Sequence, residues 1–296
     1  MKDYLTLLSN VMYGGDHRGT RNGGTRSLFG QSLQFDLRRG HPVLTTKRMA
    51  TKAIFGELIG FLRGYDNARD FEELGCRVWN ANAESPYWVN SAAYRGEGDL
   101  GRIYGVQWRS WRTHVPLLGD QRSEEGMFPI EGYRTLDQIE RLIRLIRNDP
   151  SSRRMVVTAW NPAELNEMAL PPCHLFFQVY CEGQYMDLQM YQRSVDIFLG
   201  LPFNIASYAT LLWILARHTG YEPRRLTMCL GDTHLYTAHL EQAYEQLERS
   251  PRTLPTLHYD YGGLAPDLVA PASMHPERFR LDNYEPHPAI KAEMLV

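Results

Sequence analysis

The fold of this chain turns on MALPPCHLFFQVYCEGQYMDLQMYQRSVDIFLGLPFNIASY, residues 168–208. Two apolar-rich runs, 174–181 and 184–191, flank the dipeptide Glu182-Gly183. Glycine at the second turn position tolerates positive φ, so a two-residue β-hairpin is the natural reading. Pairing Cys181 with Gln184 fixes the register. Counting back along both strands sets Cys173 opposite Gln192, with Arg193 and Ser194 one and two steps further on. A thiol then stands beside a guanidinium and a hydroxyl at the open end of the hairpin. A free cysteine is usually a small buried hydrophobe. Arg193 argues instead for a nucleophile, because nearby positive charge lowers a thiol pKa.

With 296 residues the chain can bury a full core as one large domain or two small ones. Its 43% apolar and 22% charged residues are those of an ordinary globular protein. A net charge of −2 gives no global basic field for nucleic acid. No apolar run approaches a membrane span, and the start Met-Lys-Asp-Tyr lacks a signal-peptide pattern. The four cysteines, Cys76, Cys173, Cys181 and Cys229, show no C-x-x-C spacing. Neither a zinc site nor a disulfide framework is expected, and a reducing, cytoplasmic setting fits.

Outward from the hairpin, residues 2–13 carry a helical stripe of Tyr4, Leu5, Leu8 and Val11. Residues 14–25 hold five glycines with Arg18 and Arg21 among them. They read as a mobile loop that brings backbone and charge to an anion. Residues 27–37 and 42–46 read as extended pieces. Residues 52–63 read as a helix with almost no polar face, ended by Gly64. Glu57 lies inside it, where a carboxylate is costly unless hydrogen-bonded or protonated. A buried structural salt bridge is the plainer alternative.

Residues 79–101 read as an irregular loop region, and 112–134 as an exposed insertion. Thr135 with Gln138 reads as a capping box for a helix whose stripe is Leu136, Ile139, Leu142, Ile143 and Ile146. Arg153 and Arg154 precede a strand over 155–160. They read as a solvated edge or as an anion clamp, since guanidinium matches phosphate geometry. An apolar helix over 204–218, a strand over 226–230 and a helix to about residue 249 follow. From residue 254 the chain is proline-rich and irregular, and its apolar end reads as a frayed tail or a lid. From the residues alone, Cys173 and several arginines suggest covalent chemistry on a phosphorylated substrate. Asn204, Asp196, His234 and Tyr236 supply polar contacts.

The runs around Cys173 and His174, Tyr191 to Asp196 and Leu199 to Tyr208 resemble the thymidylate synthase family. So do Asp149 to Arg154, Gly231 to Tyr236, Thr45 to Arg48 and His287 to Lys291. The resemblance covers nearly the whole chain. It implies an α+β fold with a large mixed sheet packed by helices, and a homodimer with two such sheets back to back. It implies one domain over residues 1–296, with insertions at 84–98 and 112–134. The substrate it implies is dUMP and the cosubstrate 5,10-methylenetetrahydrofolate, with no metal, nucleic acid or membrane involved.

Carried over by residue, the resemblance makes Cys173 the nucleophile that adds to carbon 6 of uracil. Arg21, Arg193 and Ser194 hold the phosphate, joined by Arg153 and Arg154 from the other subunit. Gln192 belongs to the nucleotide site, and Asn204 reads the pyrimidine edge. His234 and Tyr236 bind the ribose hydroxyl. Glu57 runs a proton-carrying water network, and Tyr104 assists removal of the carbon 5 proton. Trp79, Leu170, Asp196 and Val296 line the folate pocket. The glycine loop is one residue shorter than the family pattern between Arg21 and Thr25, which leaves Arg18 as an alternative phosphate ligand. Asn80 stands where many members have Asp, and Gly60 where a large residue is usual. A relative, the dUMP hydroxymethylase, shares the first half of the chemistry, and Asn204 does not separate the two. A retired, nucleotide- or RNA-binding homologue would instead show damage at Cys173, Arg193 or Asn204, all of which are present.

Overall fold

The computed structural model describes residues 1–20, 23–116, 131–260 and 266–295. Helix α1 (Lys2–Gly14) buries Tyr4, Leu7, Leu8, Val11 and Met12. The glycine-rich segment then forms a hairpin, β1 (Asp16–Thr20) and β2 (Gly23–Asp36), rather than a mobile loop. Strand β1 lies at the edge of the sheet and all of it is exposed; its backbone pairs with β2, and Arg18 adds an ion pair to Asp232. Residues 42–46 join no strand. They are a buried connector whose Thr45 bonds the backbones of Arg252 and His287.

Helix α2 (Thr51–Arg63) is buried without interruption from Ile54 to Leu62. Against it packs α3 (Ala68–Glu73). A Cβ at Gly56 would fall 2.4 Å from the Leu74 carbonyl oxygen, and one at Gly60 would fall 2.3 Å from the Phe71 ring. The glycine that departs from the family pattern is therefore the seat of Phe71. Residues 79–101 hold two short helices, α4 (Asn80–Ala83) and α5 (Pro86–Val89), where an irregular loop was expected. Helix α6 (Tyr104–Arg109) follows.

The expected insertion at 112–134 is bounded by a two-stranded ribbon, β3 (Trp111–Pro116) with β4 (Glu131–Leu136); residues 117–130 lie outside the described set. Helix α7 (Gln138–Asn148) is capped by Asp137, whose Oδ1 accepts from the Glu140 N–H at 2.9 Å. Thr135, the expected cap, is paired with Arg112 in the ribbon and cannot serve. Then come β5 (Val156–Thr158), β6 (His174–Glu182) and β7 (Tyr185–Asp196). Helix α8 (Gly200–Thr219), strand β8 (Glu222–Tyr236) and helix α9 (Leu240–Leu247) complete the main body. A second ribbon, β9 (Thr256–Tyr259) with β10 (Phe279–Asp282), gives order to the proline-rich end.

The main sheet runs β1-β2-β8-β7-β6-β5. All its pairings are antiparallel except β7 with β8, so the sheet is mixed. Two parallel neighbours need a crossover, and α8 supplies it. That helix is apolar nearly all round and packs on β7, β8, α2 and α7. Strand β8 is longer than the sequence suggested: it continues through Gly231 to Tyr236 and carries the polar motif inside the sheet.

In the hairpin, Gly183 and Gln184 are the central turn residues and Glu182 pairs with Tyr185. Gly183 has φ 56° and Gln184 does not share the left-handed region, the pattern of a type II′ turn. The turn is thus one residue later than expected, and the partner of Cys181 moves from Gln184 to Met186. A β-bulge between His174 and Phe176 takes one residue back. His174 pairs with Gln192, and the Arg193 N–H donates to the Cys173 carbonyl at 2.8 Å. Cys173 therefore stands opposite Arg193 rather than Gln192. Along β6, Phe177 and Val179 are buried under the helices while Phe176 and Tyr180 project from the other face.

Candidate active site

The Pro171-Pro172 pair sets an extended approach to β6 and leaves two carbonyls without intrinsic partners. Arg193 takes both: Nε donates to Pro172 O at 2.9 Å and Nη2 to Pro171 O at 3.0 Å. Its guanidinium also lies 5.5 Å from the centroid of Trp160. The Cys173 N–H donates to the Tyr104 hydroxyl oxygen at 2.6 Å. Backbone and side chain thus fix Cys173 from two sides. Burial pushes its thiol pKa up, and this outweighs the lowering by Arg193 and by Tyr104. The expectation that Arg193 depresses the thiol is corrected: the charge acts, but desolvation is the larger cause.

Tyr104 sits at the start of α6 with its ring 4.1 Å from that of His174 and 5.0 Å from that of Phe61, centroid to centroid. Burial holds its hydroxyl well above the ordinary tyrosine range. His174 shares a 2.8 Å hydrogen bond with Tyr208 through Nδ1, and burial lowers its pKa to about 3, so the ring is neutral. Glu57 is 7% exposed and makes no salt bridge among the described residues. Its Oε1 accepts from the Trp79 indole N–H at 3.0 Å. Burial pushes its pKa up to about 8, against a smaller lowering by Trp79. A carboxyl of this kind gains and loses a proton near neutral pH.

The remaining polar groups follow from the register. In parallel β7 and β8, Ser194 pairs with Asp232 and Asp196 with His234. Gln192, 2% exposed, donates from Nε2 to Ser194 O at 3.0 Å and to Asn204 Oδ1 at 3.1 Å. Only the amide nitrogen can face a backbone carbonyl, so the Gln192 orientation is fixed by Ser194. The orientation of Asn204 follows: its oxygen faces Gln192 and its NH2 group is presented elsewhere. Gln192 Oε1 and Asp232 Oδ1 are buried acceptors without a partner, two openings a bound polar ligand would fill. A family model described as thymidylate synthase matches residues 2–296. The chain belongs to the thymidylate synthase family.

It is accordingly an enzyme of methyltransferase type, from a family that takes methylenetetrahydrofolate as cosubstrate. Among the described residues no group of three or more His, Cys, Asp or Glu could hold a metal ion, and no helix is long and apolar enough to cross a membrane. The structure brings Cys173, Tyr104 and Arg193 into one hydrogen-bonded set and Gln192, Ser194 and Asn204 into a second, the two adjoining through the neighbours Gln192 and Arg193 on β7. His234 and Tyr236 lie with their rings 5.1 Å apart at the end of β8. Leu170 is half-buried three residues before Cys173. Asp196 spends Oδ1 on the Phe198 and Leu199 N–H groups, at 2.9 and 3.1 Å, shaping the entry to α8.

Arg153 and Arg154 are exposed and do not join the cluster within one subunit. The ladder of β5 with β6 puts Arg154 level with Tyr180, six residues along β6 from His174 and so roughly 20 Å away. Arg21 and Val296 lie outside the described residues. Lys47, inside a motif that carried the resemblance, escaped assignment from the sequence. It is buried, donates from Nζ to Phe198 O at 2.6 Å and sits 3.5 Å from the Phe198 ring centroid. Burial lowers its pKa to about 7. Its place directly after Thr45-Thr46 was the only signal in the sequence.

Proposed function

We propose that this enzyme methylates dUMP reductively to dTMP, with 5,10-methylenetetrahydrofolate supplying the carbon and the hydride. The observation that carries the reading is the Gln192–Asn204 hydrogen bond beside Cys173. It turns the amide NH2 of Asn204 toward the ligand as a donor for the 4-oxygen of uracil. The Oδ1 atom keeps a second lone pair for the ring N–H. Cytosine offers a donor and an acceptor in the opposite order.

Cys173 adds to carbon 6 of the pyrimidine, which makes carbon 5 nucleophilic. Burial raises the Cys173 thiol, and Arg193 is the positive charge that works against that and favours the attacking thiolate. Negative charge then develops on the 4-oxygen, where the Asn204 amide is already oriented. Glu57, protonated up to about pH 8, moves protons on that side, and Tyr104 assists removal of the carbon 5 proton. Arg21, Arg193 and Ser194 hold the phosphate, and His234 and Tyr236 the ribose. Trp79, Leu170, Asp196 and Val296 form the folate wall.

The subunit works as a homodimer, sheet against sheet. Val156, Phe176 and Tyr180 support this: they leave apolar surface on the sheet face away from the helices. So does the distance of Arg153 and Arg154 from Cys173, which suits service to the other subunit's site. Incubation of the purified protein with dUMP and methylenetetrahydrofolate tests the reading. Dihydrofolate absorbance rises and dTMP appears; hydroxymethyl-dUMP without dihydrofolate would assign the chain to the hydroxymethylase branch.

A further inference from the structure

Helix α6 carries Tyr104, yet its six residues are too few to hold a helix unaided, and Ile103 at its N-cap has no side chain that can cap it. Buried polar side chains hold it instead. Arg102, two residues before the helix, reaches along it, and its Nη2 donates to the Ser110 carbonyl at the far end at 2.7 Å. Its Nε donates to Glu164 Oε2 at 2.6 Å. The same oxygen accepts from Gln107 Nε2 at 2.7 Å, and that amide also donates to the Arg102 carbonyl at 2.9 Å. Arg102, Gln107 and Glu164 thus close a hydrogen-bonded triangle. Gln107 is fully buried, and the side chains of Arg102 and Glu164 are 11% and 8% exposed. None of the three lies in a motif that carried the family resemblance.

Glu164 stands on the short 3-10 helix Pro162–Glu167, and the chain leaving that helix runs directly to Cys173. On the way Met168 forms an antiparallel bridge with Gly101, and Glu167 O accepts from the Arg102 N–H at 2.7 Å. Two arms therefore lead away from Glu164. One is the main chain to Cys173; the other is α6, from Gln107 back to Tyr104. They meet again where the Cys173 N–H donates to the Tyr104 hydroxyl. Helix α6 also lies backbone against backbone on α2, where a Cβ at Gly105 would fall 2.6 Å from Phe61 Cα. A helix packed so closely passes a shift at Gln107 on to Tyr104 instead of absorbing it. We propose that Glu164, engaged by Arg102 and Gln107, is a positioning residue that sets where the Tyr104 hydroxyl stands against Cys173. The inference rests on the reading of Cys173 as the nucleophile. Hydrogen bonds to a carboxylate are shorter and stronger than neutral ones, which suits Glu164 to fixing a helix this short. Tyr104 is also among the groups that lower the Cys173 thiol against burial, so a displaced hydroxyl reaches the thiol as well.

The test uses the full-length enzyme with the variants E164A, E164Q, R102K, Y104F and Y104F/E164A. Two readouts are taken: kcat with KM for dUMP, and the pH dependence of Cys173 alkylation by iodoacetamide without substrate. The alkylated peptide that bears Cys173 is followed by mass, so Cys76, Cys181 and Cys229 do not interfere. Misplacing a group beside the nucleophile predicts that E164A lowers kcat by roughly ten- to hundredfold while KM stays within about twofold of wild type. E164Q keeps an acceptor oxygen for both donors and recovers most of that loss. The alkylation midpoint of E164A moves to higher pH, as it does in Y104F. Because Glu164 acts through Tyr104, Y104F/E164A is slower than Y104F by no more than about twofold. R102K keeps a charge opposite Glu164 but cannot also reach Ser110, and its kcat falls by roughly three- to tenfold. If E164A does not fold, R102K carries both readouts. Strict additivity in the double variant would overturn the inference, as would a raised KM at unchanged kcat. If the protein did not turn over dUMP, the functional reading would fail while the alkylation profile still decided the role of Glu164, an unmoved midpoint counting against it.

Discussion

The indole N–H of Trp79 donates to Glu57 Oε1 at 3.0 Å inside a helix that is otherwise apolar. This single bond is the only polar relief for Glu57 among the described residues. Burial dominates, and the folded pKa of about 8 stands above the ordinary 4.5. Between those values the folded state binds one more proton than the unfolded chain. Stability therefore falls as pH rises from about 5 toward 8, by roughly 1.4 kcal/mol per pH unit, and the fall ends above the folded pKa. Glu57→Gln keeps the shape and removes the titration. Denaturant unfolding should find the two proteins similar near pH 5, with the glutamine variant the more stable by pH 8. A stability difference that stays constant over this range would refute the shifted pKa. Trp79→Phe removes the bond that favours the ionised form, so the fall should extend to higher pH.

The Gln192–Asn204 bond makes a prediction about base choice. In Asn204→Asp, a carboxylate oxygen still accepts from Gln192 Nε2, so the local structure is kept. On the proposed reading the donor for the 4-oxygen is lost, and an acceptor suited to an exocyclic amine takes its place. The kcat/KM for dUMP should drop by at least about a hundredfold, because a buried polar mismatch is costly, while binding of dCMP improves. Equal losses for both nucleotides would mean that Asn204 is structural.

The parts of this site that could be read in the sequence are those set by local chemistry. The α2 helix, its buried Glu57 and its end at Gly64 follow from an apolar run closed by glycine. Asn204 falls on the expected apolar helix, α8. What could not be read depends on partners distant in the chain. The hairpin register was displaced because either of two adjacent positions could lead the turn, and a bulge near Cys173 has no sequence signature. The Thr135 cap was lost to strand pairing, and Asp137, two residues later, caps the helix instead. Glycine-rich residues 14–25 lack any apolar alternation, yet they form an edge strand because β2 supplies the hydrogen bonds. The thiol pKa of Cys173 depended on how deeply it is buried, a tertiary property.

Tyr104 and Cys173 offer a test of positioning. The Tyr104 hydroxyl accepts the Cys173 N–H at 2.6 Å, and Tyr104→Phe leaves that donor unpaired. An unpaired buried donor costs about 1–3 kcal/mol, which chemical denaturation would detect. The same change frees the backbone of Cys173, the proposed nucleophile, so kcat should fall by more than about tenfold while KM for dUMP changes little. Unchanged stability together with a large loss in kcat would instead assign Tyr104 a purely chemical role. Cys173→Ala removes turnover altogether if catalysis is covalent, and residual activity near wild type would exclude that mechanism.

The exposed sheet face and the remote arginines together predict shared sites. Tyr180 is 55% exposed and Phe176 37%, on the face opposite the helices. Tyr180→Glu places a charge where a second sheet would pack, and desolvating it is costly. Sedimentation should show a shift toward monomer with loss of activity. Arg154 lies level with Tyr180 on the neighbouring strand, far from its own Cys173. If it serves the other subunit, Cys173→Ala and Arg154→Ala chains are each inactive or nearly so, and mixing them restores turnover. In a mixed dimer the chain with intact Cys173 receives Arg154 from the other chain, so one site of the two is complete. Random assortment makes half the dimers mixed, and activity should recover to about a quarter of wild type. No recovery after subunit exchange, verified by mass-labelled chains, would place Arg154 outside the catalytic site.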